Sequence, residues 1–227
     1  MLHLVMPTCG EPCLERCLET LYRHTDPGLD CQLWLVMNHD DPQRLANVAG
    51  MVAHRDLVYL SIPQKIGYTQ ACNYGWQLAN PADNDYFAIL NDDLVFDGEW
   101  TGPLLAALDA GATLAGPAIH HVGRDGYWGR GDEQYQFIEG WCFMARAAHL
   151  TGAAAAFGQS PFYELFDSKF GMGYCEDVDL SIRLQRLGGK LRQVDVPIRH
   201  LHSQTYGHER PSWAANRQYL MSKWDLG

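Results

Sequence analysis

The sequence AILNDDLVFDGEW (residues 88–100) joins an apolar run to three polar residues and then returns to apolar chain. Residues 88–90 read as the end of a buried strand, and Asn91, Asp92 and Asp93 follow directly. Adjacent carboxylates repel each other, and burying either one without a partner costs free energy. The repulsion between Asp92 and Asp93 becomes tolerable if a divalent cation at the strand end shares them with an anionic ligand.

The chain before this stretch alternates short apolar runs with amphipathic segments. The apolar runs predict strands at residues 2–6, 31–37, 57–62 and 86–90, and helical periodicity predicts helices at 11–24, from about 42, and at 68–79. This order predicts an α/β fold with a mostly parallel sheet and helices on its faces. Ligands of such sheets bind at the carboxyl ends of the strands, where the polar loops 7–8, 38–41 and 91–93 are expected to meet.

The second half of the sequence has a different character. Glycine and aromatic residues crowd residues 116–143, which predicts irregular loops and antiparallel strands. A helix is predicted at 176–187, where Asp179 and Arg183 make an ordinary i,i+4 pair. A short strand at 190–194 and a final helix at 212–224 complete a single predicted domain over residues 1–227.

Composition limits the possible partners and compartment. A net charge of −10 over 227 residues argues against a nucleic-acid backbone or an anionic membrane as the main partner. No apolar stretch approaches the length of a membrane helix, and the N-terminus lacks the basic and apolar regions of a signal peptide. Seven cysteines are an odd number, and the simplest compartment is a reducing cytoplasm.

Five segments, in this order along most of the chain, resemble the GT-A glycosyltransferases of family 2. They are LHLVMPTCGEPCLERCLETLYRHT (2–25), GYTQACNYGWQLA (67–79), NDD (91–93), FDSKFGMGYCEDVDLSIRLQRLG (166–188) and IRHLHSQTYG (198–207). The triplet NDD occupies the position of the family's DxD motif. Two departures concern the nucleotide: Met-Asn-His-Asp (37–40) replaces the usual acidic loop, and Asn91 replaces the first Asp of the DxD.

The resemblance implies a metal-dependent inverting glycosyltransferase that moves a sugar from a nucleotide-diphosphate sugar to an acceptor hydroxyl. A UDP-sugar is the favoured donor and Mn²⁺ or Mg²⁺ the expected cofactor. Asp93 is implied as a metal ligand, together with His200 or His202. These histidines flank Leu201, so both point to one face of an extended segment, and a pair of imidazoles suits Mn²⁺ better than Mg²⁺.

The resemblance also divides the chain by role, with residues 1–97 binding the nucleotide-sugar and residues 98–227 binding the acceptor and carrying catalysis. Asp177 is implied as the general base that deprotonates the acceptor, and Glu176 as the residue that orients the acceptor or supports the base. The implied donor contacts are Pro7, Thr8, Asn38, Asp40, Gly67, Asn73, Asn91 and Asp92.

Aromatic residues of the second half are candidates for the apolar face of an acceptor sugar. They are Tyr127, Trp128, Trp141, Phe162, Tyr163 and Trp213. Trp141 is the first choice and Trp128 the second, although for any individual residue a place in the core is the commoner use. The glycine-rich residues 123–131 form either a lid over the donor or a plain surface loop.

Two alternative functions remain open from the sequence. A sugar-nucleotide nucleotidyltransferase would use a similar sheet, but such enzymes usually carry a glycine-rich, basic signature after the first strand. The corresponding loop here, PTCGEPC (7–13), has no basic residue. A non-catalytic nucleotide-sugar-binding module is the second alternative, and the joint presence of Asp93, Asp177 and the histidine pair argues against it.

Overall fold

A seven-stranded sheet forms the centre of the domain. The structure, a computed structural model, describes residues 1–123, 133–159, 164–201 and 212–226. The predictions for Trp128 and His202, and those for most of the glycine-rich 123–131 segment, lie outside the described residues. The same holds for the aromatic candidates Tyr127, Phe162 and Tyr163.

Strands and helices alternate through the first 90 residues and mix more freely afterwards. The strands are β1 (Leu2–Thr8), β2 (Cys31–Asn38), β3 (Val58–Ile62), β4 (Tyr86–Leu90), β5 (Leu94–Phe96), β6 (Leu114–Gly116), β7 (Ile119–Gly123), β8 (Glu133–Ile138), β9 (Cys142–Arg146), β10 (Leu191–Gln193) and β11 (Ile198–His200). The helices are α1 (Leu14–His24), α2 (Pro42–Val52), α3 (Gly67–Ala79), α4 (Thr101–Asp109), α5 (Ala147–Ala156), α6 (Glu176–Arg186) and α7 (Trp213–Trp224).

The sheet has the strand order β10-β6-β9-β4-β1-β2-β3, which confirms the predicted α/β class. Strands β1, β2, β3 and β4 pair in parallel, as do β6 and β10, whereas β9 is antiparallel to both of its neighbours. The sheet therefore draws strands from both halves of the chain. Two small antiparallel sheets, β5–β11 and β7–β8, lie outside it.

Strand β1 lies between β4 and β2 inside the sheet, and all seven of its residues are therefore buried. Leu4 and Met6 pack into a core layer with α1, α2 and α4, whereas Val5 packs into a second layer with α3, α5 and α6. A parallel strand covered on both faces reads as a continuous apolar run rather than an alternating one. Strand β1 extends through Pro7 and Thr8, where the sequence predicts a loop.

Helices α4 and α5 were not predicted. The first turn of α4 carries Gly102 and Pro103, which read as a turn in the sequence but are tolerated at a helix start. Helix α5 has the sequence AAHLTGAAAA, in which alanines blur the contrast between a buried and an exposed face. Helix α1 also begins three residues after the predicted start, at Leu14. Within the described residues, no helix has both the length and the apolar character that a membrane crossing requires.

Two helical glycines give a matched test of how tightly α3 packs on the sheet. A Cβ on Gly75 would lie 2.4 Å from Val5 Cγ1, whereas a Cβ on Gly50 in α2 would meet no atom within 4 Å. Gly75→Ala should lower the free energy of unfolding by about 1–3 kcal/mol because the core is overpacked. Gly50→Ala should raise it by about 0.5–1 kcal/mol through helix propensity. Urea unfolding of both variants measures the difference, and a neutral Gly75→Ala would contradict this packing.

Candidate functional site

The carboxyl ends of β1, β2 and β4 meet in one hydrogen-bonded cluster. The hydroxyl of Thr8 donates to Asp92 Oδ2 over 2.5 Å, and Asn38 Nδ2 donates to the carbonyl of Thr8 over 3.3 Å. All three side chains are buried. The structure thus brings together residues from the three strand ends that are predicted, from the sequence, to form one site.

Asp92 is a buried carboxylate, and burial changes its pKa. Burial raises the pKa of Asp92 to about 7, the neighbouring charge of Asp93 acts in the same direction, and the bond from Thr8 opposes them. This carboxyl group therefore takes up a proton more readily than an exposed aspartate.

Asp93 faces a different partner. Strands β5 and β11 pair with Leu94 opposite His200, and the amide of Leu201 donates to the carbonyl of Asp93 over 2.9 Å. This pairing places His200 Nε2 at 3.1 Å from Asp93 Oδ1, with both side chains largely buried. Asp92 and Asp93, which are adjacent after the end of β4, thus have different partners. Asp92 is bonded to Thr8, and Asp93 lies next to His200.

Asp93 and His200 fit a divalent cation. Two ligands at right angles around a metal at about 2.1 Å lie about 3 Å apart, which agrees with the 3.1 Å between Asp93 Oδ1 and His200 Nε2. A carboxylate oxygen with an imidazole nitrogen is a donor set that suits Mn²⁺. Among the described residues, no group of three or more His, Cys, Asp or Glu side chains is placed to hold a metal.

The turn between β8 and β9, residues 139–141, connects this pair to the rest of the site. Trp141 stacks on His200 with ring centroids 4.9 Å apart and an interplanar angle of 25°. Its indole nitrogen donates to Glu139, and its carbonyl accepts from the amide of Asn91 at 2.8 Å. His200 already covers one ring face of Trp141, so the acceptor role suggested for Trp141 stays a prediction that concerns the other face.

Asp177 is tied to the same turn. Its Oδ2 accepts from the amide of Gly140 at 2.9 Å, and its Oδ1 accepts from the amide of Val178 at 2.8 Å. A Cβ on Gly140 would lie 3.2 Å from Asp177 Cβ, so the glycine permits this close approach. Loss of solvation raises the pKa of Asp177 to about 6, whereas the two amide bonds lower it and the charge of Glu139 raises it.

Glu176 lies beside Asp177 at the start of α6 and is 5% exposed. Burial raises its pKa well above the usual value, and the charge of Asp177 adds to the effect. Glu176 Oε2 is buried, with no hydrogen-bond partner among the described residues. This oxygen is therefore a polar group for which a substrate could supply the partner.

The loop before α6 has an unusual backbone. Gly171, Gly173, Tyr174 and Cys175 have φ values of +58°, +128°, +75° and +71°. A side chain with a Cβ in this region costs of order 1–3 kcal/mol and persists only where the surroundings fix it. Glu176 and Asp177 directly follow this strained loop, so its backbone conformation sets their position.

Gly67 and Asn73 of α3 contact the segment that precedes α6, at Met172 and Phe166. A Cβ on Gly67 would lie 2.5 Å from Met172 Cα, so the close backbone approach predicted for Gly67 is to the loop before α6. Both polar groups of the Asn73 amide bond the backbone of Phe166, at 2.9 and 2.8 Å. Their contacts with a nucleotide stay predictions, and for Asn73 the side-chain amide is already occupied.

The remaining predicted donor contacts differ in exposure. Pro7 and Asn38 end buried strands, whereas the side chain of Asp40 is 65% exposed and lies 3.7 Å from Lys65 Nζ. Asn91 Oδ1 is buried, without a hydrogen-bond partner among the described residues. Asp40 is therefore the member of this set that is open to a solvent-borne ligand.

The predicted i,i+4 pair of Asp179 and Arg183 is confirmed, and the structure adds that it lies in the core. Both side chains are fully buried, 2.9 Å apart, and Trp224 Nε1 and Lys223 Nζ also bond Asp179, at 2.9 and 2.8 Å. The i,i+4 spacing identified the pair, but its burial depends on α7, which is more than 30 residues away in sequence.

The sequence profile described as Glycosyl transferase family 2 matches residues 3–166. The chain belongs to glycosyl transferase family 2. The profile match covers most of the sheet and the strand ends that form the site. A search of curated proteins found no matching relative for the family 2 domain.

Solved structures similar to the family 2 domain share its GT-A fold. A structure of GalNAc-T7 with UDP, GalNAc and Mn²⁺ has a TM-score of 0.73 at 14% identity, covering 98% of this chain and 47% of that one. S. aureus TarS with UDP-GlcNAc has a TM-score of 0.65 at 12% identity, covering 100% and 66%. The mannosyltransferase PcManGT from Pyrobaculum calidifontis, with GDP-Man and Mn²⁺, has a TM-score of 0.58 at 14% identity, covering 85% and 54%.

The chain therefore spans between about half and two thirds of the lengths of these proteins. The predicted GT-A fold and the assignment as a glycosyltransferase domain are confirmed. The roles of individual site residues, the single-domain division of the chain and the cytoplasmic location stay predictions.

The burial of Glu176 predicts how the stability of the family 2 domain depends on pH. Because its pKa is raised, the folded domain binds more protons than the unfolded chain above the ordinary value of 4.5, and the free energy of unfolding falls as pH rises. Glu176→Gln should therefore stabilise the domain by about 1–3 kcal/mol near pH 8. The gain should shrink as pH falls towards 4.5.

Urea unfolding across this pH range measures the effect of Glu176→Gln. Glu19→Gln, at an exposed position of α1, is the matched control and should change stability little. A Glu176→Gln variant that shows the same pH profile as the wild-type domain would contradict the burial of this carboxylate.

Proposed function

We propose that the domain transfers a sugar from a nucleotide-diphosphate sugar to an acceptor hydroxyl, with inversion at the anomeric carbon. The observation that carries the proposal is the turn at residues 139–141. Trp141 of this turn stacks on His200 beside Asp93, and Gly140 donates to Asp177. A cation-binding pair and a candidate base are thus attached to one three-residue element.

Asp93 and His200 would hold Mn²⁺ or Mg²⁺, with Mn²⁺ favoured by the imidazole ligand. When bound, the cation would supply Lewis-acid stabilisation of the diphosphate leaving group. Support comes from the Mn²⁺ present in the structures of GalNAc-T7 and PcManGT. Such a cation would also offset the negative charge of the strand-end carboxylates, which a diphosphate would otherwise meet.

The proposed donor is a UDP-sugar. The structures of GalNAc-T7 and TarS contain UDP and UDP-GlcNAc, whereas PcManGT contains GDP-Man. In this chain, Asp92 would accept from the ribose hydroxyls, with its orientation fixed by the 2.5 Å bond from Thr8. Asn38, the last residue of β2, and the exposed Asp40 that follows it would contact the base.

Asp177 would act as the general base. A carboxylate whose pKa lies at about 6 is largely ionised at neutral pH, yet accepts a proton more readily than an ordinary aspartate. As the acceptor oxygen forms its bond to the anomeric carbon, the bond from that carbon to the diphosphate oxygen breaks. The acceptor proton passes to Asp177 and the electron pair of the broken bond leaves with the diphosphate. A single displacement of this kind inverts the configuration.

Asp177→Asn should separate binding from chemistry. The amide cannot accept the acceptor proton, so kcat for sugar transfer should fall by about 10²–10⁴-fold. The affinity for UDP with Mn²⁺ should stay within about twofold of wild type, since the cation-binding pair is unchanged. Transfer assays with calorimetry measure both quantities. An Asp177→Asn variant with wild-type kcat would refute the base assignment.

Asp93→Asn should instead weaken nucleotide binding that depends on the metal. Loss of the carboxylate ligand should reduce the affinity for UDP in the presence of Mn²⁺ by at least about tenfold. Calorimetry, with a thermal-shift screen of nucleotide-sugars with and without Mn²⁺, measures the effect and the donor preference.

Asp97→Asn is the matched control for Asp93→Asn. Asp97 is an exposed aspartate directly after β5 that pairs with Arg199 of β11, and its removal should leave UDP affinity unchanged. Equal losses in the two variants, or UDP binding to Asp93→Asn that still depends on Mn²⁺, would contradict the assigned ligand.

A further inference from the structure

We propose that Asn216, on the C-terminal helix α7, is a positioning residue for Glu176 and Asp177. It acts by holding the strained loop at residues 171–175, which directly precedes this pair. The inference rests on the proposed function, because it explains how the proposed base is kept in place. Asn216 lies about 40 residues beyond the pair and after the end of the family match at residue 166.

Three carbonyl groups converge on the side-chain amide of Asn216. Its Nδ2 lies 2.7 Å from the carbonyl oxygen of Phe170, 2.5 Å from that of Gly173 and 3.1 Å from that of Tyr174. An amide has two N–H donors, so one hydrogen is shared between two carbonyls. Asn216 is 7% exposed, and hydrogen bonds in such surroundings are stronger than in water.

The loop needs restraint because of its backbone. Tyr174 and Cys175, at φ +75° and +71°, occupy a region that residues with a Cβ rarely adopt. Conformations of this kind persist where surrounding contacts over-determine them. Helix α3 supplies one restraint, since the amide of Tyr68 donates to the carbonyl of Met172 over 3.0 Å. Asn216 supplies a second restraint, from α7.

Helix α7 is also anchored by contacts that do not involve Asn216. The Tyr219 hydroxyl donates to Asp167 Oδ2 over 2.7 Å, and Trp224 Nε1 donates to Asp179 Oδ1 over 2.9 Å. Removing the Asn216 amide should therefore leave the helix docked while it releases the loop. This separation makes the role of Asn216 distinguishable from a general contribution to stability.

Release of the loop should affect the chemical step more than binding. Cys175 immediately precedes the first turn of α6, so movement of the loop displaces Asp177 relative to Gly140. A misplacement of about 1 Å can lower a rate by about 10²-fold. The cation-binding pair Asp93 and His200 lies on β4–β5 and β11, apart from this loop in the chain, and nucleotide affinity should be preserved.

The test compares Asn216→Ala with Tyr219→Phe in the same chain. Tyr219→Phe removes one hydrogen bond that anchors α7, but it keeps the ring against Phe170 and leaves the three loop carbonyls bonded to Asn216. We expect kcat for Asn216→Ala to fall by about 10–100-fold, with KM for the donor and UDP affinity within about twofold of wild type. Tyr219→Phe should lower the Tm while kcat stays within about twofold of wild type.

A wild-type kcat in Asn216→Ala would overturn the inference. An equal loss of kcat in both variants at an equal loss of Tm would overturn it as well, because α7 would then act through stability alone. Failure of the proposed function gives a different result: a wild-type domain without transfer, or an Asp177→Asn variant with full activity.

Hydrogen exchange provides a readout that does not require turnover. Amides of residues 170–179 should exchange faster in Asn216→Ala than in Tyr219→Phe, and equal exchange in the two variants would overturn the proposal. If Asn216→Ala does not fold, Asn216→Ser, which keeps a short hydroxyl donor, replaces it in both comparisons with the same expected order.

Discussion

Burial of neighbouring carboxylates is the constraint to which the rest of this domain conforms. Asp92, Asp93, Glu176 and Asp179 are all at most 6% exposed in a chain with a net charge of −10. Each is placed beside a different neighbour: a hydroxyl for Asp92, an imidazole for Asp93 and a guanidinium for Asp179. Glu176 keeps a buried oxygen without a hydrogen-bond partner among the described residues, and burial together with the charge of Asp177 raises its pKa.

Local signals in the sequence predict the sheet well and the tertiary pairings poorly. The parallel strands were recognisable because strands such as β1 are buried on both faces and so contain continuous apolar runs. The triplet 91–93 and the Glu176–Asp177 pair were recognisable by residue type and position. The pairing of β5 with β11, which sets His200 beside Asp93, joins two three-residue strands about 100 residues apart, and no periodicity reports it. The burial of Arg183 and the contacts of Asn216 depend on how α7 docks, which the sequence of either helix does not contain.

The site combines a rigid part with a strained part. Strand ends of the central sheet supply Thr8, Asn38 and the residues after β4, and their positions follow from the strand register. The N-terminus of α6 instead follows a loop with four positive φ values, held by contacts from α3 and α7. Strain of this kind is retained at functional sites where the surrounding structure supports it, and here the support comes from α3 in the first half of the chain and α7 in the second.

Asp92 and Asp93 have different partners, Thr8 and His200, and this has a consequence for how sequences with this fold can diverge. Thr8 of β1 orients Asp92, whereas the pairing of β11 with β5 orients Asp93. The two carboxylates are therefore positioned by separate parts of the chain. Under the proposed function, substitutions around the ends of β1 and β2 would alter the contacts of Asp92 with the nucleoside while leaving Asp93 and His200 in place. Nucleotide choice and metal dependence, as proposed here, would then be able to change separately although Asp92 and Asp93 are neighbours in sequence.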